Sequence, residues 1–268
     1  MDSLQGKRVL VLGYGRQGRA LARWLPTRGA SGTVRDRQAG EPGLDELPPG
    51  ARVEFVSGEH SRELLDETDL ICLSGGVPLD APLVREAQAR GIPLANDAQL
   101  FLERCPAPVI GITGSAGKTT TTSLVAAMLQ AAGRQVWTGG NIGHVLLDDL
   151  DSMQAGDVVA MELSSCQLEL MTRSPQLALV LNVTPNHLDR HGSMAAYAAA
   201  KARILEFQGE GDCAILGHDD AGSRALEAQV RGGLAWFGRD KPPGGGAWDQ
   251  ENDLWVCGGC TVTGRARR

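Results

Sequence analysis

The chain has 268 residues, 42% of them hydrophobic and 22% charged, with a formal net charge of −6, enough for one large domain or two ordinary ones. The acidic balance excludes a dedicated nucleic-acid binder, which carries a basic face, and no apolar run approaches the roughly 20 residues that cross a bilayer. Six cysteines are too few for a disulfide scaffold, and the first residues run straight into a strand pattern without the layout of a signal peptide, so the protein is expected in the cytoplasm.

Residues 7–12 read as a buried parallel strand, carried by the apolar run Val9-Leu10-Val11-Leu12. Gly13-Tyr14-Gly15-Arg16-Gln17-Gly18 follows. Ala20, Leu21, Trp24 and Leu25 then recur at helical spacing up to a stop at Arg28-Gly29, and a second strand over 32–35 ends at Asp36. This is a βαβ pattern with G-x-G-x-x-G at its first turn and an acid about 20 residues on. The glycines let the backbone approach a phosphate, and the helix N-terminus offers free N–H groups. Three readings stay open for this turn: NAD or another dinucleotide, a nucleotide-linked substrate, or a structural turn. Beyond it come a strand over 69–73, the turn Ser74-Gly75-Gly76-Val77-Pro78 and a helix over 82–90.

A second unit opens near Ala98, which gives expected domains of 1–97 and 98–268. Pro108-Val109-Ile110-Gly111-Ile112 reads as a short buried strand, followed by Thr113-Gly114-Ser115-Ala116-Gly117-Lys118-Thr119-Thr120. The following helix is expected to bury a stripe of Leu124, Val125, Met128 and Leu129 and to stop at Gly133. Strand, glycine loop, Lys-Thr and helix make a P-loop, although Ile112 stands where the Walker A pattern has its first glycine. In such a loop the backbone amides of 114–120 wrap phosphate, Lys118 reaches the β- and γ-phosphates, and the Thr119 hydroxyl meets Mg²⁺. The chain has only four lysines, Lys7, Lys118, Lys201 and Lys241, and one of them occupies the position where this chemistry needs an amine rather than a guanidinium.

Three further segments place polar residues beyond strand ends, where doubly wound sheets bind ligands. A strand over 135–138 leads to Gly139-Gly140-Asn141. One over 158–161 ends at Glu162-Leu163-Ser164-Ser165, with Glu162 placed as a Walker-B-like acid. One over 177–183 ends at Thr184-Pro185-Asn186-His187-Leu188-Asp189-Arg190-His191. The helix starting near Ser193 carries Met194, Tyr197, Ala198, Ile204 and Leu205 on one stripe, and Lys201 falls on it. A lysine there must snorkel, pair with an acid, or change its chemistry. A neutral amine can react with CO₂ and become a carbamate, an oxygen ligand for a second Mg²⁺. Finally, residues 253–263 read as a β-hairpin turning on Gly258-Gly259, with Cys257 and Cys260 as strand residues rather than a metal or redox pair. The other cysteines read as small buried hydrophobes.

Taken together, Gly111-Ile-Thr-Gly-Ser-Ala-Gly-Lys-Thr-Thr120, Gly140-Asn-Ile-Gly143, Glu162-Leu-Ser-Ser-Cys-Gln-Leu-Glu169, Asn182-Val-Thr-Pro-Asn-His-Leu-Asp-Arg-His191 and Tyr197-Ala-Ala-Ala-Lys201 resemble the Mur ligases, the ATP-dependent amino-acid-adding enzymes of peptidoglycan synthesis, and among them the D-glutamate-adding branch. The resemblance runs to about residue 240. It implies an α/β architecture, an N-terminal Rossmann-like parallel-sheet domain followed by a P-loop ATPase domain. It also implies a reaction: ATP phosphorylates the carboxylate of UDP-N-acetylmuramoyl-L-alanine, and D-glutamate attacks the acyl phosphate. Lys118 and residues 114–120 would hold ATP. Thr119 and Glu162 would hold one Mg²⁺, and His187 with carbamylated Lys201 a second. Asn141 and Ser164 would line the site, with Arg190 near the glutamate. Tyr14, Arg16, Gln17, Asp36, Arg37, Ser74 and Gly76 would receive the UDP-sugar, which displaces the NAD reading. The enzyme is expected to act as a monomer on small molecules. Two positions depart from the pattern: Asn186 stands where some relatives have aspartate, and Gly75 where a proline is expected. The family's third, C-terminal domain lies beyond the matched motifs, so the chain is expected to represent two-thirds of a three-domain enzyme. The rival expectations are a module that binds nucleotide and UDP-substrate without turnover, and an NAD-dependent oxidoreductase built on the first βαβ unit.

Overall fold

The computed structural model describes residues 4–36, 47–57, 62–250, 253–257 and 264–266. It divides into two compact units, one of Met1–Phe101 with Val145–Asp151, the other of Leu102–His144 with Ser152–Arg268.

The first unit is an all-parallel sheet flanked by helices. Its elements are β1 (Arg8–Leu12), α1 (Arg16–Thr27), β2 (Ser31–Asp36), β3 (Val53–Ser57), β4 (Leu70–Leu73), α2 (Pro82–Ala89), β5 (Leu94–Ala95) and the start of α3 (Asp97–Leu102). The strand order is β3-β2-β1-β4-β5. Val9, Leu10, Val11 and Leu12 are all buried, as expected of a strand covered on both faces, and Ala20, Leu21, Trp24 and Leu25 of α1 supply one cover. The order reverses between β1 and β4, and the glycine turn of 13–18 lies at that reversal. Strand β3 and the segment 145–151, whose Leu146, Leu147 and Leu150 are buried, were not anticipated, because neither carries a long periodic pattern.

The second unit contains β6 (Val109–Thr113), α4 (Lys118–Ala131), β7 (Val136–Gly140), β8 (Val158–Glu162), α5 (Ser165–Leu168), β9 (Leu177–Val180), α6 (Leu188–His191), α7 (Met194–Glu206), β10 (Cys213–Gly217), α8 (Ala221–Arg224), β11 (Gly233–Gly238), β12 (Gly246–Gln250), β13 (Asp253–Cys257) and β14 (Gly264–Ala266). They build a sheet of order β14-β13-β12-β11-β10-β9-β6-β8-β7. It is parallel from β12 to β7, and β13 and β14 add an antiparallel edge. Helix α7 starts at Ser193, whose hydroxyl accepts from the Ala196 N–H at 3.1 Å, and buries Tyr197, Lys201, Ile204 and Leu205.

Two expectations are corrected. Leu124 and Met128 do not face the core: they are 57% and 63% exposed. The face of α4 turned to the sheet is instead Thr122 and Ala126, with Val125 and Leu129 half-buried. Small residues let the helix lie close to the sheet, and the longer side chains are displaced to the outer flank. The hairpin also differs. Strand β13 pairs with β12 on one side (Gln250 opposite Asp253) and antiparallel with β14 on the other (Val256 opposite Gly264), a register offset from that of a two-residue turn at Gly258-Gly259. Gly258, Gly259 and Cys260 lie outside the described residues, as does Arg37. Among the described residues, no helix is long and apolar enough to cross a membrane.

A Cβ on Gly18 would stand 1.9 Å from the Gly13 carbonyl oxygen. Gly18→Ala is therefore expected to lower stability by about 2 kcal/mol, the scale of overpacking a closed site, read as a drop in the urea midpoint at unchanged slope.

Candidate active site

The sheet of the second unit places β6 between β8 and β9, so the ends of three parallel strands lie side by side. The loop leaving β6 carries Gly117 at φ 82°, directly before α4. An L side chain there is disfavoured, and glycine is what lets the chain turn into the helix. Ile112 is fully buried within β6 and pairs with Glu162. The missing Walker glycine thus falls in the strand, and the wrapping loop begins at Gly114. Asn182, just past β9, clamps the loop: its Oδ1 accepts from the Ala116 N–H at 2.9 Å and its Nδ2 donates to the Ala116 carbonyl at 3.2 Å. Ser115 is turned inward. Its hydroxyl donates to the Thr184 carbonyl and accepts from the Thr184 N–H, both at 2.9 Å, and accepts from the Tyr197 hydroxyl at 3.0 Å. The Lys118 ammonium donates back across the loop to the Gly114 carbonyl at 2.9 Å.

Glu162 closes β8 and is 1% exposed. Its Oε2 accepts from the Thr119 hydroxyl at 2.8 Å and its Oε1 from the Asn141 Nδ2 at 2.9 Å. The Asn141 N–H also donates to the Glu162 carbonyl at 2.9 Å. Gly140, at φ 102°, permits this approach, since a Cβ there would lie 2.3 Å from that same carbonyl oxygen. Among the described residues the buried carboxylate meets neutral donors and no cation. Burying a charge without a counter-charge is costly, and a carboxylate beside a threonine hydroxyl offers hard-oxygen donors that fit Mg²⁺. No group of three or more His, Cys, Asp or Glu side chains that could hold a metal is gathered among the described residues, so phosphate oxygens and water would complete such a site.

Lys201 is 1% exposed. Its amine donates to the Gly114 carbonyl at 2.9 Å and to Thr113 Oγ1 at 3.3 Å, and lies 4.8 Å from the centre of the Tyr197 ring. It therefore neither snorkels nor pairs with an acid among the described residues. Burial, reinforced by the Lys118 charge, pushes its pKa down to about 7. Both lysines converge on one carbonyl, that of Gly114.

The remaining residues of the 184–191 loop and the 162–169 segment are placed as follows. The Ser164 hydroxyl is engaged in a capping box with Gln167. His187 adopts φ 51° and is exposed. Its N–H donates to Asn186 Oδ1 at 2.9 Å, and its ring shares no hydrogen bond with Lys201 or Glu162 among the described residues. Arg190 is close enough to Cys166 for its charge to act on the thiol, which burial pushes upward. Thr113, Asn182, Tyr197 and His191 take part in this site although the motifs did not assign them roles. A polar residue just beyond a buried strand was the available signal for Asn182.

In the first unit, the Asp36 carboxylate accepts from the Tyr14 N–H at 2.6 Å, and Gln17 Oε1 accepts from the Gly75 N–H at 2.7 Å. Ser74 is buried, whereas Arg16 and Gly76 are exposed. Tyr14 is held edge-on against Phe55, with ring centres 5.0 Å apart. Asp36 is thus turned toward the glycine turn that it braces.

Residues 7–96 match the MurD-like N-terminal domain of Mur ligases, and residues 112–242 match the Mur ligase middle domain. The chain belongs to the Mur ligases. It is 43% identical over 241 residues to the UDP-N-acetylmuramoylalanine--D-glutamate ligase of Symbiobacterium thermophilum, which covers 89% of this chain and 53% of that protein. To the ligase of the same name from Pelotomaculum thermopropionicum it is 40% identical over 262 residues, covering 96% and 55%. The chain spans about half the length of the curated relatives it matches. The fold is similar to that of UDP-N-acetylmuramate:L-alanyl-gamma-D-glutamyl-meso-diaminopimelate ligase from Neisseria meningitides, with a TM-score of 0.60 at 16% identity, covering 94% of this chain and 84% of that one. Membership of a ligase family replaces the oxidoreductase expectation.

A lysine titrating near 7 in the folded Mur ligase and at 10.5 when unfolded binds fewer protons folded than unfolded between those values. Its penalty is therefore full below pH 7 and is relieved as pH rises toward 10.5. In CO₂-free buffer, Lys201→Met is expected to be more stable than the parent at pH 7 by a few kcal/mol. The gap should narrow by pH 9.5 in urea denaturation.

Proposed function

We propose that this chain provides the UDP-substrate and ATP sites of an enzyme that joins D-glutamate to UDP-N-acetylmuramoyl-L-alanine, acting as a monomer in the cytoplasm, where ATP and UDP-sugars are held. The observation that carries the reading is the set of strand ends around β6, where the P-loop, Glu162 with Thr119 and Asn141, and Lys201 meet. In this reading residues 98–268 handle ATP and residues 1–97 hold the UDP-sugar through Tyr14, Arg16, Gln17, Asp36, Arg37, Ser74 and Gly76.

The chemistry runs in two steps. The alanyl carboxylate attacks the γ-phosphorus of ATP, the bond to the bridging oxygen breaks, and ADP leaves an acyl phosphate. The D-glutamate amine then attacks the acyl carbon, phosphate departs, and the amine loses a proton as the amide forms. The amides of 114–120 cradle the phosphates, and the Lys118 ammonium moves from the Gly114 carbonyl onto the transferring phosphoryl group. Thr119 and Glu162 would hold one Mg²⁺, and His187 with carbamylated Lys201 a second; bound there, Mg²⁺ supplies positive charge to the phosphoryl oxygens. An amine titrating near 7 is substantially neutral at physiological pH and can take up CO₂, forming an N–C bond and releasing a proton. Asn141 orients Glu162, Ser164 shapes the turn into α5, and Arg190 receives a carboxylate of the glutamate.

In the complete protein, ATP-dependent phosphate release should require both UDP-N-acetylmuramoyl-L-alanine and D-glutamate. Release driven by L-lysine or D-Ala-D-Ala instead would overturn the assignment. Lys118→Ala should lower kcat by about two to three orders of magnitude, the scale of losing a charge aimed at the transition state. Lys201→Ala should be inactive but recover with short-chain carboxylates, and unaltered activity in that variant would remove the carbamate from the mechanism.

A further inference from the structure

The motifs leave His191 without a function, yet its side chain is among the most enclosed of the second unit, 1% exposed. Its Nδ1 lies 3.0 Å from Glu169 Oε1 and its Nε2 lies 2.9 Å from Ser165 Oγ. The ring also rests against Tyr197, with centres 5.2 Å apart. Serine, histidine and carboxylate at these distances match the layout of a hydrolytic triad. Access argues against that use: Ser165 is 4% exposed and the histidine is sealed, so no ester or amide reaches the hydroxyl.

The same bonds do something else. His191 ends α6, while Ser165 and Glu169 belong to the segment of α5, which leaves β8 directly after Glu162. The imidazole therefore joins the short helices α5 and α6, side chain to side chain. At the other end of α6 stands His187, the one non-glycine residue at positive φ among the described residues. The His191 and Arg190 N–H groups both donate to the His187 carbonyl at 3.1 Å. A left-handed histidine is disfavoured by its own sterics and persists only where neighbours hold it. The side chain one turn later supplies that hold.

We infer that His191 is a positioning residue: through Glu169 and Ser165 it fixes the loop of His187 and Arg190 to the segment that follows Glu162. The geometry of the tether stands on the distances above, and its consequence for turnover rests on the ligase reading. With the proton on Nδ1, in the neutral ring or the cation, the imidazole donates to Glu169 and also bonds to Ser165, whose hydroxyl donates or accepts as required.

The test is amide hydrogen exchange combined with steady-state kinetics on the complete protein. In His191→Ala, exchange at residues 187–192 should rise about tenfold, the equivalent of one lost hydrogen bond, while β6, β8 and β9 remain as protected as in the parent. The KM for D-glutamate should rise with the KM for ATP unchanged, whereas mere loss of folded enzyme would lower kcat and leave both KM values alone. His191→Asn, whose amide N–H stands where Nδ1–H does, should recover most of the protection through Glu169. If His191→Ala does not fold, Ser165→Ala removes one bond only and carries the same measurements. Unchanged exchange at 187–192, or a rise spread evenly over the unit, overturns the tether. Loosening of the loop in a protein whose parent shows no D-glutamate-dependent phosphate release would retire the ligase reading and leave the tether standing.

Discussion

Two ionisable side chains held out of water at the ends of the neighbouring strands β8 and β6 set the terms for the rest of this protein. Glu162 and Lys201 are each 1% exposed, and neither is paired with the other. Buried groups of this kind are tolerated only when every lone pair and proton finds a partner. Much of the second unit can be read as the means of doing so. Thr119 and Asn141 serve the carboxylate, and the Gly114 carbonyl and Thr113 hydroxyl serve the amine. The glycine at 140 exists to let Asn141 reach its acid. The arrangement leaves an anion met by neutral donors and an amine close to neutrality, which suits a site that receives cations and phosphates.

The loop between them is held from three directions. Asn182 grips Ala116 from β9, Tyr197 reaches Ser115 from α7, and Lys118 bonds back to Gly114. A loop held in this way is organised before any ligand arrives, which is what stabilising charge without reorganising requires. These contacts come from segments far apart in the chain, and the sheet order brings them together. The first unit follows the same logic on a smaller scale: Asp36 at the end of β2 braces the amide of Tyr14, and Gln17 of the glycine turn reaches the amide of Gly75 beyond β4.

How much of this was legible beforehand varies with the kind of signal. The P-loop, the acid at the end of β8 and the burial of Lys201 could be read because each rests on local spacing: a glycine loop between strand and helix, an acid closing an apolar run, a lysine seven residues after Met194 on one stripe. The outward position of Leu124 and Met128 was not legible. Helical periodicity identifies an apolar stripe but not whether a neighbour lies close enough to exclude it in favour of Thr122 and Ala126. The antiparallel partnership of β13 with the next strand was legible but its register was not, because two glycines advertise a turn without fixing which residues pair across it.

By itself the amino-acid order determined the two α/β units, the glycine loop between β6 and α4 and the identity of the residues with chemistry to offer, since backbone freedom at glycine and the 3.6 and 2.0 periodicities are properties of adjacent residues. Only the tertiary structure decided which of those residues share a site and in what state. It turned Ser115 inward, brought two lysines onto one carbonyl, left Lys201 with no acid partner among the described residues and set His191 between Glu169 and Ser165. The reason is physical. Burial and hydrogen-bond partnership across a sheet depend on strand order, and strand order joins residues that no local spacing relates.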